Sequence, residues 1–215
     1  IKAYTEEMHL GMWLTGKRVE GSWAHADEQS TFYELKAYVM NIFTRLGVNP
    51  SVVVAESSDN NVFGKALALK ARSGKVLCEM GIVSHKVLNK MDIEQEVFYA
   101  DINWNNMMRV IKKNEVLYHD ICKFPSVSRD LALLIDKNVQ FEQIEQIARQ
   151  TEKKLLKSVE LFDVYEGKNL PEGKKSYAVN FILQDETKTL NDKQIEAIMT
   201  KLISNLKSKL GAELR

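Results

Sequence analysis

From residue 129 to the end of the chain, the hydrophobic pattern alternates between the period of a strand and the period of a helix in a fixed order that few folds satisfy. Residues 129–135 (RDLALLI) read as a strand. A helix follows over 141–154, with Phe141, Ile144, Ile147 and Ala148 on one stripe. Strands come next at 158–165 (SVELFDVY) and 175–184 (KSYAVNFILQ), joined by a loop holding Gly167, Pro171 and Gly173. A long helix then spans 192–209, its stripe formed by Ile195, Ile198, Met199, Leu202, Ile203, Leu206 and Leu210. Asn191 as N-cap with Gln194 three positions on predicts a capping box. Ala212–Arg215 is left for a short closing strand.

The order is βαββαβ, the ferredoxin-like arrangement, in which both helices cover one face of the sheet and leave the other open. Side chains alternate along a strand, so each can be assigned to a face. Tyr177, Val179, Phe181 and Leu183 are expected beneath the helices, together with Phe162 and Val164. Ser176, Ala178, Asn180, Leu161, Asp163 and Tyr165 are then expected on the open face. A tyrosine ring there offers a base a stacking platform, worth about 1–3 kcal/mol. A carboxylate accepts from the N1–H and N2–H₂ edge of guanine, which no other standard base presents. The plainer alternative is a strand-end tyrosine with a wet hydroxyl beside an ordinary surface charge.

Before residue 123 the pattern is mixed. Phe32, Leu35, Val39, Phe43 and Leu46 recur at helical spacing across 29–46, and Gly47 is a natural stop. Strand-like runs follow at 51–55, 65–72, 76–83 and 96–103, with a Ser73-Gly74 turn between the second and third. Short helices are expected at 84–91 and 104–110. Several consecutive strands after one helix argue for a largely antiparallel sheet with helices against it. Lys123-Phe124-Pro125-Ser126 is the best boundary, because Pro125 fixes its own φ and holds Phe124 extended. The expected organisation is therefore α+β, with domains at 1–122 and 123–215.

Composition narrows the function. In 215 residues, 45% are hydrophobic and 27% charged, which supplies real cores. No apolar run reaches the ~18 residues needed to cross a bilayer, and no basic, then apolar, leader opens the chain. Cys78 and Cys122 match no metal or redox spacing and are expected as free thiols in a reducing, cytoplasmic setting. His9, His25, His85 and His119 are scattered, so no metal site is expected. Lys and Arg number 14 against 15 Asp and Glu up to Cys122, and 16 against 14 beyond it, giving −1 and +2. That balance argues neither for nor against nucleic acid, and any RNA contact is expected to be local and partly base-directed, or to lean on a larger assembly.

Several motifs then fall in order: Lys123-Phe124-Pro125, Ser128-Arg129-Asp130-Leu131, Leu161-Phe162-Asp163-Val164-Tyr165, Gly173-Lys174-Lys175-Ser176-Tyr177-Ala178, Thr189-Leu190-Asn191-Asp192 and Leu214-Arg215. Together they resemble the ferredoxin-fold anticodon-binding domain of the bacterial phenylalanyl-tRNA synthetase β subunit. Tyr177 departs from the leucine usual in that family and Asn191 from threonine. The resemblance implies that Tyr165 stacks on the first anticodon base, a guanine, and that Asp163 and Ser176 hydrogen-bond to it. These are three of the residues that alternation places on the open face. Lys174 and Lys175 are read either as phosphate contacts or as part of a solvated loop. Arg129, with Asp130, is expected to pin the first strand by ion pairs or to reach a phosphate.

The earlier half carries Leu10-Gly11-Met12-Trp13-Leu14-Thr15-Gly16, Trp23, Phe32-Tyr33-Glu34-Leu35-Lys36 and Gly81-Ile82-Val83-Ser84-His85. It is similar to the later part of that subunit's class II synthetase-like core, entered partway through the fold. No GxGxxR-type motif is present to hold ATP phosphates, so the resemblance implies a catalytically silent scaffold with no catalytic residue. Trp13, Trp23 and Trp104 are expected in its core, with an interface as the alternative. The chain opens at Ile1 rather than methionine, as an excised fragment would. For the intact ligase the resemblance implies an α₂β₂ assembly with a catalytic α subunit, tRNA(Phe) as partner, and ATP and Mg²⁺ as cofactors, none of them bound by this fragment. One rival is a ferredoxin-like module that binds small molecules. Its expected glycine-rich loop is missing from Asp136-Lys137-Asn138-Val139-Gln140. An independent enzyme in the first half is disfavoured by the lack of a nucleophile–base or metal constellation.

Overall fold

The computed structural model describes residues 4–48, 53–112, 118 and 120–215. The chain divides into two compact units, Ile1–Tyr118 and His119–Arg215.

In the first unit an antiparallel five-stranded sheet runs β1 (His9–Thr15), β7 (Val97–Asn103), β6 (Val76–Val83), β5 (Phe63–Ala71) and β4 (Val53–Ser58). A small ribbon pairs β2 (Lys17–Val19) with β3 (Glu28–Gln29). Helix α1 (Phe32–Arg45) starts where the Thr31 hydroxyl accepts the Glu34 N–H at 3.3 Å. It buries Leu35, Val39 and Phe43 against Leu69, Leu77, Met80, Ala100 and Ile102 of the sheet, and Met107 of α3 (Trp104–Ile111) joins the same core. Helix α2 (His85–Lys90) links β6 to β7. Two tryptophans depart from expectation. Trp104 packs against the core, but Trp23 is fully exposed and Trp13 is 67% exposed on the far side of the sheet, where it stacks on Tyr99. The expected strand at 51–55 lies partly outside the described residues.

The second unit follows the order read from the sequence: β8 (Val127–Asp136), α4 (Phe141–Thr151), β9 (Leu156–Tyr165), β10 (Lys174–Leu183), α5 (Asp192–Leu210) and β11 (Glu213–Leu214). Its antiparallel sheet is ordered β11-β8-β10-β9, with the first and third strands in the middle. The Asn191–Gln194 capping box is present, each side chain accepting from the other residue's backbone N–H. Helix α5 ends at Gly211, whose φ of 62° suits glycine better than any other residue. Ile144, Ile147 and Ala148 of α4, with Ile195, Ile198, Leu202 and Leu206 of α5, close over Leu133, Ile135, Val179, Phe181 and Leu183. One face of the sheet is thereby covered, and neither helix lies on the other.

Candidate nucleic-acid interface

Cross-strand pairs in an antiparallel sheet share a face, so the register sorts every side chain. Tyr165 of β9 lies opposite Ser176 of β10, and Asp163 lies opposite Ala178. Across β10, Ala178 lies opposite Ala132 and Asn180 opposite Asp130 of β8. Since Tyr177, Val179 and Phe181 are core residues, this even-numbered set of β10 points away from the helices. The open face therefore brings Asp163, Tyr165 and Ser176 together, the first two exposed and Ser176 only 6% exposed.

The face is reached by a route that alternation alone does not give. Leu161 pairs with Val179 and Asp163 with Ala178, so Phe162 has no partner and the register slips by one residue there. The slip corrects two expectations. Leu161 belongs to the helix side, where it packs against the core, and Phe162 is 60% exposed instead of buried. Val164 lies opposite Tyr177 on the helix side as expected, but the helices do not reach it and it stays 49% exposed. A strand read with strict alternation puts Leu161, Asp163 and Tyr165 on one face. The slip removes Leu161 and keeps the polar pair.

The three positive residues separate. Lys174 has the parity of the open face, but its ammonium is 2.8 Å from the Asp136 carboxylate directly across the ladder. Lys175 faces the other way. It is only 7% exposed, with its ammonium 4.5 Å above the Tyr177 ring, so it is withdrawn from any phosphate-facing role. Arg129 lies opposite Phe181 on the helix side, exposed at the sheet's end, and donates to the neighbouring Ser128 carbonyl at 2.9 Å. It does not pair with Asp130. That carboxylate instead accepts from the Asn180 amide, which also donates to the Ser128 hydroxyl, forming a polar cluster two rows from Asp163.

Two further residues shape the platform. Gly167 lies against the Tyr165 phenol, where a Cβ would come within 2.2 Å of the hydroxyl oxygen. Only a residue without a side chain allows that approach, and the glycine after FDVYE is its sequence signal. Arg215 holds its guanidinium carbon 5.2 Å from the centre of the Tyr165 ring. Leu214-Arg215 stands out as a motif, but the contact links residues 50 positions apart in the chain and only the fold shows it.

Residues 122–215 match the family model described as ferredoxin-fold anticodon binding domain, and residues 2–104 match the phenylalanyl tRNA synthetase beta chain CLM domain. The whole chain is 56% identical to the phenylalanine–tRNA ligase beta subunit of Bacteroides thetaiotaomicron. It is 57% identical over its full length to that of Bacteroides fragilis and 49% to that of Porphyromonas gingivalis. The chain belongs to the phenylalanine–tRNA ligase β-subunit family. It spans about 26% of the length of those relatives. The ferredoxin-fold domain typical of the family occupies the second unit, and no described helix is long and apolar enough to cross a membrane.

In the first unit, side chains on the sheet face away from α1 are largely engaged with one another. The His9 Nδ1 and an Asp101 oxygen are 2.7 Å apart, and Glu79 accepts from Ser58 at 2.6 Å and from Asn60 at 3.1 Å. Lys70 pairs with Glu56 at 2.6 Å. Beside them, a Cβ on Gly81 would fall 2.2 Å from the Lys65 carbonyl oxygen, so the floor there is closed-packed backbone. Among the described residues no group of His, Cys, Asp or Glu is arranged to hold a metal ion.

Proposed function

We propose that this chain contributes anticodon recognition and scaffolding to a cytoplasmic phenylalanine–tRNA ligase whose ATP- and Mg²⁺-dependent chemistry resides in an α subunit. The observation that carries this reading is the pairing of Tyr165 with Ser176 and of Asp163 with Ala178 on a sheet face that no helix covers. An unpaired base stacking on the Tyr165 ring brings its edge toward Asp163, two residues back along β9. Guanine alone offers that carboxylate two adjacent donors. Ser176 lies opposite the ring but is only 6% exposed, so its hydroxyl meets a base only when a neighbouring side chain moves aside, and Ala178 leaves space for the base plane. Lys174, already held by Asp136, is a secondary phosphate contact, and Arg129 is further from the ring.

The first unit is the scaffold, a class II synthetase-like core without the machinery of catalysis. Its support is that Asp101 is held by His9, Glu79 by Ser58 and Asn60, and Glu56 by Lys70, which leaves these groups engaged instead of poised as acid, base or phosphate clamp. Association with the α subunit as an α₂β₂ assembly belongs to the same reading.

Binding in this scheme is positional: fixing the anticodon orients the far end of the tRNA toward the active site. Tyr165→Ala in the full-length β chain, assembled with its α subunit, should weaken tRNA(Phe) binding by about 1–3 kcal/mol, the worth of one base stack. It should also erase the preference for guanine at the first anticodon position while amino-acid activation stays intact. Filter binding with tRNAs altered at that base, alongside ATP–pyrophosphate exchange, measures both. Equal loss of activation and tRNA binding would overturn the reading.

A further inference from the structure

We propose that Arg215 is a second RNA-binding residue of this face, seated on the Tyr165 ring when RNA is absent and transferred to the phosphate of the stacked nucleotide when RNA binds. The inference rests on the anticodon reading of the face and goes beyond it, because neither the motif nor the register of β9 and β10 assigns Arg215 a role.

Geometry places it there. Strand β11 pairs with β8 through Glu213–Leu134 and Leu214–Leu133, and the Arg215 N–H continues the ladder to the Ala132 carbonyl at 3.0 Å. Arg215 is therefore aligned with Ala132, Ala178 and Asp163 in one row across the sheet. Strands lie about 4.8 Å apart, so roughly 14 Å of sheet separates β11 from β9. Tyr165 stands in the adjoining row of the same face, with Ser176, Leu134 and Glu213, and the two middle positions of Arg215's own row are alanines, so no bulky side chain stands there between β11 and β9. The guanidinium reaches the ring, at 5.2 Å.

The arrangement is suited to exchange. A cation over a solvent-exposed ring is held weakly, and among the described residues the Arg215 guanidinium has no carboxylate partner within ion-pair distance. Its N–H donors remain available, in a planar fork that fits phosphate oxygens. A base arriving on the ring displaces the guanidinium from the π surface and simultaneously brings a phosphate within its reach. The two lysines of β10 are less free to take this role, since Lys175 is buried over Tyr177 and Lys174 is paired with Asp136.

The test uses the full-length β chain assembled with its α subunit and compares wild type, Arg215→Ala, Arg215→Lys and Tyr165→Ala, each first checked for native thermal unfolding. Binding of tRNA(Phe) is measured from low to moderate salt. Arg215→Ala should weaken binding about 10-fold or more, as loss of one charged hydrogen bond does. It should also lower the slope of log affinity against log salt by about 0.7, the value for one phosphate of a single strand. Arg215→Lys should keep that slope. Discrimination at the first anticodon base should survive, because Asp163 reads the edge. An Arg215→Ala protein that binds as tightly as wild type, binds more tightly, or keeps the full slope overturns the proposal. If Tyr165→Ala weakens binding in that case, only the Arg215 assignment falls; if Tyr165→Ala also has no effect, the anticodon reading of the face falls with it.

Discussion

At the scale of single residues, the platform depends on what is missing as much as on what is present. Gly167 allows the Tyr165 phenol to lie where a Cβ would sit 2.2 Å from its oxygen. The obstructed atom is the far end of a rotatable side chain, so Gly167→Ala should move the ring and leave the fold alone. Thermal stability should change within about 0.5 kcal/mol, the range of ordinary surface substitutions, while tRNA affinity falls toward that of Tyr165→Ala. Unchanged affinity would mean that the ring's observed position is not the one used. In the first unit, His9 is a residue-scale pH probe. Its hydrogen bond to Asp101, aided by Glu7, holds the imidazole pKa above its ordinary value of 6.5. A raised folded-state pKa means that the pair's contribution to stability is complete below 6.5 and fades as pH climbs through the raised value. Asp101→Asn should return the His9 titration, followed by NMR, toward the ordinary value. A titration that does not move would show that Asp101 is not its partner in solution.

At the scale of elements, the sequence speaks clearly where one period persists and poorly where it breaks. Helix α5 is legible because its stripe keeps helical spacing over 19 residues and both ends are marked, by Asn191 and by Gly211. Strand β10 is legible because alternate residues Tyr177, Val179, Phe181 and Leu183 are buried without interruption. Strand β9 is only half legible. Its slips beside Lys157 and Phe162 each reverse the parity, and no local residue type announces them. Asp163 and Tyr165 lie beyond the second slip and pair with Ala178 and Ser176, so their face survives the error while that of Leu161 does not. Strand β1 is not read as a strand at all, because HLGMWLT holds a glycine and an exposed tryptophan where alternation would ask for one buried face. Trp13 illustrates the general limit. Composition ranks tryptophan with the core, but in the fold its ring lies over Gly11 and against Tyr99 on the outer face. The Arg215–Tyr165 contact is illegible for a different reason: it depends on the order and register of four strands.

At the scale of the whole molecule, the two units carry two separate sets of buried side chains, one drawn from Leu35 through Met107 and the other from Leu133 through Ala212. Stability is set where apolar surface is buried, so a cavity in one set should be felt by the backbone that surrounds it. Leu77 and Leu202 are both fully buried, one in each set. Truncation to alanine should cost about 2–5 kcal/mol in either case. Hydrogen exchange gives the crossed comparison. Leu77→Ala should lower amide protection in β5, β6 and β7 and spare β8 and β10, and Leu202→Ala should do the reverse. Cys78 supplies an internal check within the first set, because burial pushes its thiol up to about 12 and shields it from reagents. Its labelling under native conditions should accelerate in Leu77→Ala and not in Leu202→Ala. If either substitution lowers protection and exposes Cys78 throughout the chain, the two sets behave as one cooperative body, and effects of Tyr165 or Arg215 variants on tRNA binding would have to be separated from global unfolding before being assigned to the anticodon face.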